Sequence, residues 1–124
     1  MKKELKAERV LESLQRGSKT AADLERECRM SRRAVAQGIA ALRDEGYAVV
    51  CEQHKGWFHY SIAEVPVEVT QYQNVRLNVM LAMVTRLGKM ADGAVERWPE
   101  DYAVRMLHRG ITRLREDLAE LLVR

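Results

Sequence analysis

The chain has 124 residues, with 21 Lys plus Arg against 18 Asp plus Glu and a formal net charge of +3. Charged residues make up 31% and hydrophobic residues 47%, which excludes a disordered tail and argues for a helical globular protein. No stretch approaches the roughly 20 apolar residues of a membrane span, no signal peptide is visible behind Met1-Lys2-Lys3-Glu4-Leu5-Lys6, and two cysteines make no disulfide framework, so a cytoplasmic protein is expected.

The first helix is expected from about Lys3 to Gln15, where Ala7, Val10, Leu11 and Leu14 share one face and Gly17 ends it. Thr20-Ala21-Ala22-Asp23 reads as an N-cap hydroxyl with an acid three residues on. It opens a short helix that buries Ala21, Leu24 and Cys28 and stops near Arg29-Met30. Ser31 offers a second cap, for a third helix over 31–45 closed by Gly46. The period then changes. Tyr47, Val49 and Cys51 alternate with Ala48, Val50 and Glu52, and Phe58, Tyr60 and Ile62 with Trp57, His59 and Ser61, so two strands are expected around the polar turn Gln53-His54-Lys55-Gly56.

Val65-Pro66 divides the chain into an expected domain over 1–65 and a helical region over 66–124. Thr70-Gln71-Tyr72-Gln73 has the letters of a capping box, predicting a helix to about Ala91 with Asp92-Gly93 as its break. Trp98-Pro99-Glu100-Asp101 is expected to start the last helix, which reaches about Val123. Over 72–91 the apolar residues spread across an arc of about 240°, far wider than the stripe of little more than 100° of an ordinary surface helix. Burial on two sides follows, with a second copy as the simplest second partner. In the last helix Leu107, Ile111, Leu114, Leu118 and Leu121 repeat at 4, 3, 4, 3 spacing and are expected to pack on the 72–91 helix. Val75, Val79, Met83, Leu87, Leu107, Ile111, Leu114 and Leu118 are the candidate homodimer residues. Met80, Met83 and Met90 read as filling for a core or dimer interface. Arg105, Arg109 and Arg113 form a stripe read as a solvated face, paired through Asp101–Arg105, Arg113–Asp117 and Glu120–Arg124.

A short helix, a tight turn and a longer helix beginning Ser31-Arg32-Arg33 make a helix-turn-helix candidate, and the hairpin directly after it supplies a wing. Wound at 100° per residue, Val35, Ile39 and Leu42 anchor one side of the 31–45 helix, while Arg33, Gln37, Ala40 and Asp44 lie opposite. Arg33 suits bidentate pairing with guanine and Gln37 with adenine, and Ala36 and Ala40 keep the face thin enough to enter a major groove. Lys19, Ser31 and Arg32 sit where phosphate contacts fix register, and the wing tip His54-Lys55-Gly56 can reach backbone or minor groove. Asp44 and Glu45 repel phosphate, which leaves base reading to the N-terminal half of the helix.

The runs Thr20-Ala21-Ala22-Asp23-Leu24, Met30-Ser31-Arg32-Arg33-Ala34-Val35 and Ile39-Ala40-Ala41-Leu42-Arg43-Asp44-Glu45-Gly46-Tyr47 resemble the winged helix-turn-helix of bacterial transcription regulators, in its DeoR-like and biotin-repressor-like form. The resemblance covers about residues 3–63. It implies a mainly α fold of three helices plus a two-stranded hairpin, followed here by a two-helix dimerisation element. It also implies dimeric binding to operator DNA through Ser31, Arg32, Arg33 and Gln37, and an inverted repeat with half-sites about one helical turn (~34 Å) apart. Gly38 departs from the pattern: a glycine inside a helix costs roughly 1 kcal/mol against Ala and fits close packing on another helix.

The rival reading is a winged-helix protein-interaction module without base readout, an adaptor or inhibitor of the kind carried by phages and mobile elements. A charge of only +2 over residues 1–65, from 12 basic and 10 acidic side chains, weakens the electrostatic case for DNA. Cys51, His54 and His59 lie close together in sequence but have no fourth ligand near them, so no metal site is expected. His108 reads as a surface or boundary residue. With isolated glycines, scarce serines and no carboxylate pair in apolar surroundings, neither an enzyme nor a cofactor is expected.

Overall fold

The computed structural model describes residues 2–123. In chain order they form α1 (Lys3–Gln15), β1 (Lys19–Thr20), α2 (Ala21–Cys28), α3 (Arg32–Asp44), β2 (Val49–His54), β3 (Trp57–Ile62), α4 (Pro66–Arg97) and α5 (Tyr102–Val123). They divide into two compact units, Met1–Tyr72 and Gln73–Arg124.

In the first unit, α1, α2 and α3 close around a core of Val10, Leu14, Leu24, Cys28, Val35, Ile39, Leu42 and Val49. Each helix starts as its sequence dictates. The Thr20 hydroxyl accepts from Asp23 N–H while the Asp23 carboxylate accepts from Thr20 N–H, both at 3.1 Å, a complete capping box. Ser31 Oγ accepts from Ala34 N–H at 3.1 Å and starts α3. Between α2 and α3 the chain turns at Arg29, whose φ of 55° is left-handed. The glycine inside α3 has its reason in packing. A Cβ on Gly38 would lie 2.9 Å from Val10 Cγ2 and 3.0 Å from the Lys6 carbonyl oxygen, so only glycine lets α1 and α3 approach this closely.

Three strands make an antiparallel sheet in the order β1-β3-β2. The two-residue strand β1 has no period to read and was not expected. The hairpin turn is also tighter than expected: His54 pairs with Trp57 in the ladder, and only Lys55 and Gly56 turn, at φ 53° and 83°. Strict alternation fails at the start of β2, where the neighbours Val49 and Val50 are both buried.

Helix α4 differs from expectation at both ends. It begins at Pro66, not at Thr70, because proline suits the first helical position and Glu68 reaches back to accept from Glu64 N–H at 3.0 Å. Thr70 lies inside the helix, its hydroxyl donating to the Val67 carbonyl. At the other end Asp92-Gly93 is no break. The helix runs on to Arg97, since one glycine costs only about 1 kcal/mol and Asp92 is tied to His108 at 2.8 Å. The true stop is Trp98-Pro99. Helix α5 then starts one turn later than expected, at Tyr102, because Asp101 is its cap: Oδ1 accepts from Val104 N–H at 2.9 Å.

Within the second unit α4 and α5 form an antiparallel pair, fixed by Asp92–His108 and by Gly88, which faces Ile111 and Arg115. The inward residues of α4 are Leu77, Leu81, Val84, Gly88, Ala91 and Val95, and those of α5 are Val104, His108, Ile111, Arg115, Leu118 and Leu122. Both sets run at 4, 3, 4, 3, 4 spacing, the seam of a two-helix coil. The expected leucine seam is therefore split. Ile111 and Leu118 turn toward α4, whereas Leu107, Leu114 and Leu121 stay exposed. Among the described residues no helix is long and apolar enough to cross a membrane.

Candidate nucleic-acid interface

The exposed arc of α3 carries Arg32, Arg33, Ala36, Gln37, Ala40, Arg43 and Asp44, and the rest of the helix faces the core. Among the described residues Arg33 has no ion-pair or hydrogen-bond partner, so its full fork of donors points outward beside the two alanines. Gln37 occupies the edge of the arc nearest α1, where Lys6 Nζ donates to its Oε1. Lys3 sits one turn earlier on α1 and pairs with Asp44 at 3.8 Å. Lys3, Lys6, Gln37 and Ala40 line an open groove of about 390 Å³ along this edge. Lys6 is the residue that sequence reasoning missed. Gly38 was its signal, because a glycine that draws α1 against α3 also brings the lysines of α1 beside the exposed face of α3.

The other α3 residues are more committed. Ser31 uses its oxygen as the helix cap and keeps its hydroxyl proton to donate. Arg32 binds Glu25 Oε2 through Nε at 3.2 Å and Nη2 at 2.9 Å, which spends part of its charge inside the chain. Arg43 donates from Nε to the Val49 carbonyl at 3.0 Å and lays its guanidinium 5.2 Å from the Tyr72 ring centroid, so it ties α3 to β2 and to the first turns of α4.

Lys19 belongs to the sheet, paired in register with Tyr60, and its ammonium lies 2.9 Å from Glu27 Oε1. The buried Ser13 hydroxyl donates to the other oxygen of Glu27 at 2.8 Å. These two hydrogen bonds, that from Lys19 foremost, hold the Glu27 carboxyl below the ordinary carboxylate range. Lys19 is thus a structural ion pair first and a phosphate contact only at the cost of that pair.

At the wing, His54 and Lys55 are exposed, and the His54 and His59 rings meet edge-on at 6.0 Å. Trp57 and Phe58 beside them are also exposed, although each is a large apolar ring. Cys51 lies across from Tyr60 and His54 across from Trp57, which puts the cysteine and His54 on opposite faces of the hairpin.

A solved crystal structure of a transcriptional regulator aligns with 94% of this chain and 82% of its own, at 12% identity and a TM-score of 0.47. No family model and no curated protein matches the chain.

On α5, Arg105, Arg109 and Arg113 line an open cleft of about 600 Å³ with Val95, His108, Thr112 and Glu116. The expected pairs Asp101–Arg105 and Arg113–Asp117 do not form. Among the described residues no carboxylate lies within ion-pair distance of these three arginines, and Asp101 caps the helix instead. The third expected pair, Glu120–Arg124, lies partly outside the described residues.

Proposed function

We propose that the chain is a sequence-specific double-stranded DNA-binding transcriptional regulator, built as a winged helix-turn-helix that acts as a homodimer. One observation carries this reading. The N-terminal half of α3 presents an unpartnered Arg33 and the Gln37 amide across a thin Ala36–Ala40 face, on a helix anchored from behind by Val35, Ile39 and Leu42. This suits major-groove entry, with Arg33 as the bidentate partner of guanine. Gln37 reads the neighbouring base, Ser31 and Arg32 contact phosphate, and the wing residues His54 and Lys55 contact backbone or minor groove. Lys19 contributes to the field around the site. The domain over 1–65 reads DNA, and the region over 66–124 supplies the dimer contact that an inverted-repeat operator needs.

The exposed Trp57 and Phe58 favour a second reading, a module that docks on another protein through its wing.

Selection of duplexes from a randomised pool by the purified protein, near physiological salt, separates the two. Enrichment of an inverted repeat is the expected result and yields the half-site spacing. A folded protein that enriches nothing overturns the regulator reading and leaves the docking module.

A further inference from the structure

Seven outward apolar residues of the second unit line up in two stripes, Met80, Met83, Leu87 and Met90 on α4, with exposures from 47% to 72%, and Leu107, Leu114 and Leu121 on α5, from 47% to 65%; Val75, Val79, Trp98, Tyr102 and Met106 are exposed outside them. Wound at 100° per residue, each stripe lies roughly 80–100° from the seam of its own helix, counter-clockwise when viewed from the N-terminus. The helices are antiparallel, so equal offsets in that sense place both stripes on one side of the pair. Asn74, Asn78 and Lys89 of α4 fall on the other side, while Arg76, one turn before Met80, falls on the side of the stripe.

From this geometry we infer that a second copy of the chain docks on this one face, so that two α4–α5 pairs close into a four-helix bundle. The regulator reading explains why two copies are needed; where they meet follows from the second unit alone. Two observations name the occupant.

The first is extent. Seven large side chains, each about half exposed or more, present on the order of 700 Å² of apolar surface, above the largest patch usual on a monomer (about 300–600 Å²) and near the ~800 Å² per partner of a stable interface.

The second is self-complementarity. The bond between Asp92 and His108, and the approach of Gly88 to Ile111 and Arg115, set the levels of the pair. Leu87 is then level with Leu114, and Met80 with Leu121. Met90 is level with Gly110, where an added Cβ would meet nothing within 4 Å. A two-fold axis parallel to the helices keeps levels unchanged, stacking leucine on leucine and a long Met over a glycine gap. An isologous interface requires this match of a surface with itself. Of the candidate dimer residues, Met83, Leu87, Leu107 and Leu114 belong to the face, Val79 lies at its rim, Ile111 and Leu118 support it from within, and Val75, about 100° from the centre of the α4 stripe, lies outside it.

Sedimentation equilibrium without DNA tests the inference separately from any DNA binding. The wild-type chain at about 50 μM is expected at twice its 14.3 kDa mass, and a monomer there overturns the proposal. Leu87→Gln with Leu114→Gln replaces two exposed leucines by good helix formers and is expected to sediment as a monomer with unchanged far-UV circular dichroism. Asn78→Asp with Lys89→Glu, on the opposite side, is expected to remain dimeric. A Leu87→Gln/Leu114→Gln protein that stays dimeric, or an Asn78→Asp/Lys89→Glu protein that dissociates, places the contact elsewhere and overturns the assignment.

Discussion

Gly38 and Val10 stand so close that a single added carbon on the glycine would lie 2.9 Å from the valine methyl Cγ2. Because the Lys6 carbonyl is nearly as near, the clash involves backbone and cannot be relieved by a rotamer change alone. The contact joins α1 to the helix that carries Arg33 and Gln37, so it sets the site as well as the core.

Gly38→Ala is therefore expected to destabilise the protein although alanine is the better helix former. Overpacking costs about 1–3 kcal/mol and the propensity gain returns roughly 1, for a net loss of up to about 2 kcal/mol. Gly93→Ala in α4 is the control, since nothing lies within 4 Å of a Cβ there. It is expected to stabilise by up to about 1 kcal/mol. Urea unfolding of the three proteins checks both signs at once, and a stabilised Gly38→Ala protein contradicts the close packing.

On the DNA reading, Arg33 and Lys6 must differ in kind. Arg33→Ala removes a bidentate base contact, so specific affinity should fall by about 1–3 kcal/mol while binding to unrelated DNA changes little. Lys6→Ala removes a phosphate-side charge. Binding to all sequences should weaken together, and the slope of log K against log salt should drop by about 0.9. Titrations of specific and scrambled duplexes at several salt concentrations distinguish the two patterns; the same loss on both duplexes for Arg33→Ala removes it from base readout.

The first unit was legible because its signals are local and mutually consistent. Thr20 with Asp23 and Ser31 with Ala34 are caps whose atoms lie within four residues, and Val35, Ile39 and Leu42 repeat at helical spacing. What escaped depends on partners distant in sequence. Lys6 reaches Gln37 across 31 positions, and β1 exists only because Lys19 and Thr20 pair with Tyr60 and His59. In the two long helices identical letters had two uses. Thr70 and Gln73 match a capping box, yet Pro66 and Glu68 start the helix upstream. Asp92-Gly93 has the composition of a stop, yet His108 recruits the aspartate to hold the helix through it. Leucines at 4, 3, 4, 3 spacing read as one seam, but Ile111 and Leu118 turn to the inner face and Leu107, Leu114 and Leu121 to the outer one.

The wing turn makes a sharper test of backbone conformation than of contacts. Lys55 and Gly56 both hold positive φ, the pattern of a two-residue type I′ hairpin turn, in which Asn-Gly is the favoured pair. Lys55→Asn should raise stability by up to about 1 kcal/mol, since lysine bears the left-handed conformation at a steric cost. Gly56→Ala should lower it by about 1 kcal/mol or more. Thermal melts resolve both, and an unchanged Gly56→Ala protein is incompatible with the turn.

Acid should expose the role of the Ser13–Glu27–Lys19 cluster. The Glu27 carboxyl is held below its ordinary range by the hydrogen bond from Lys19 and then by that from Ser13, and Asp23 by the Thr20 backbone and hydroxyl. A carboxyl whose folded pKa is depressed stabilises the fold above its unfolded value, about 4 for both groups, and loses that contribution as pH falls through the lower folded value. The urea midpoint of the wild-type protein should therefore drop as pH falls below about 5. Glu27→Gln can still accept from Ser13 but carries no charge to titrate, so its midpoint should start lower at pH 7 and fall less steeply over the same window. Lys19→Met should flatten the profile in the same way from the other side of the pair. If either variant titrates as steeply as the wild type, the acid sensitivity arises outside this cluster, and Lys19 is free to serve a phosphate instead.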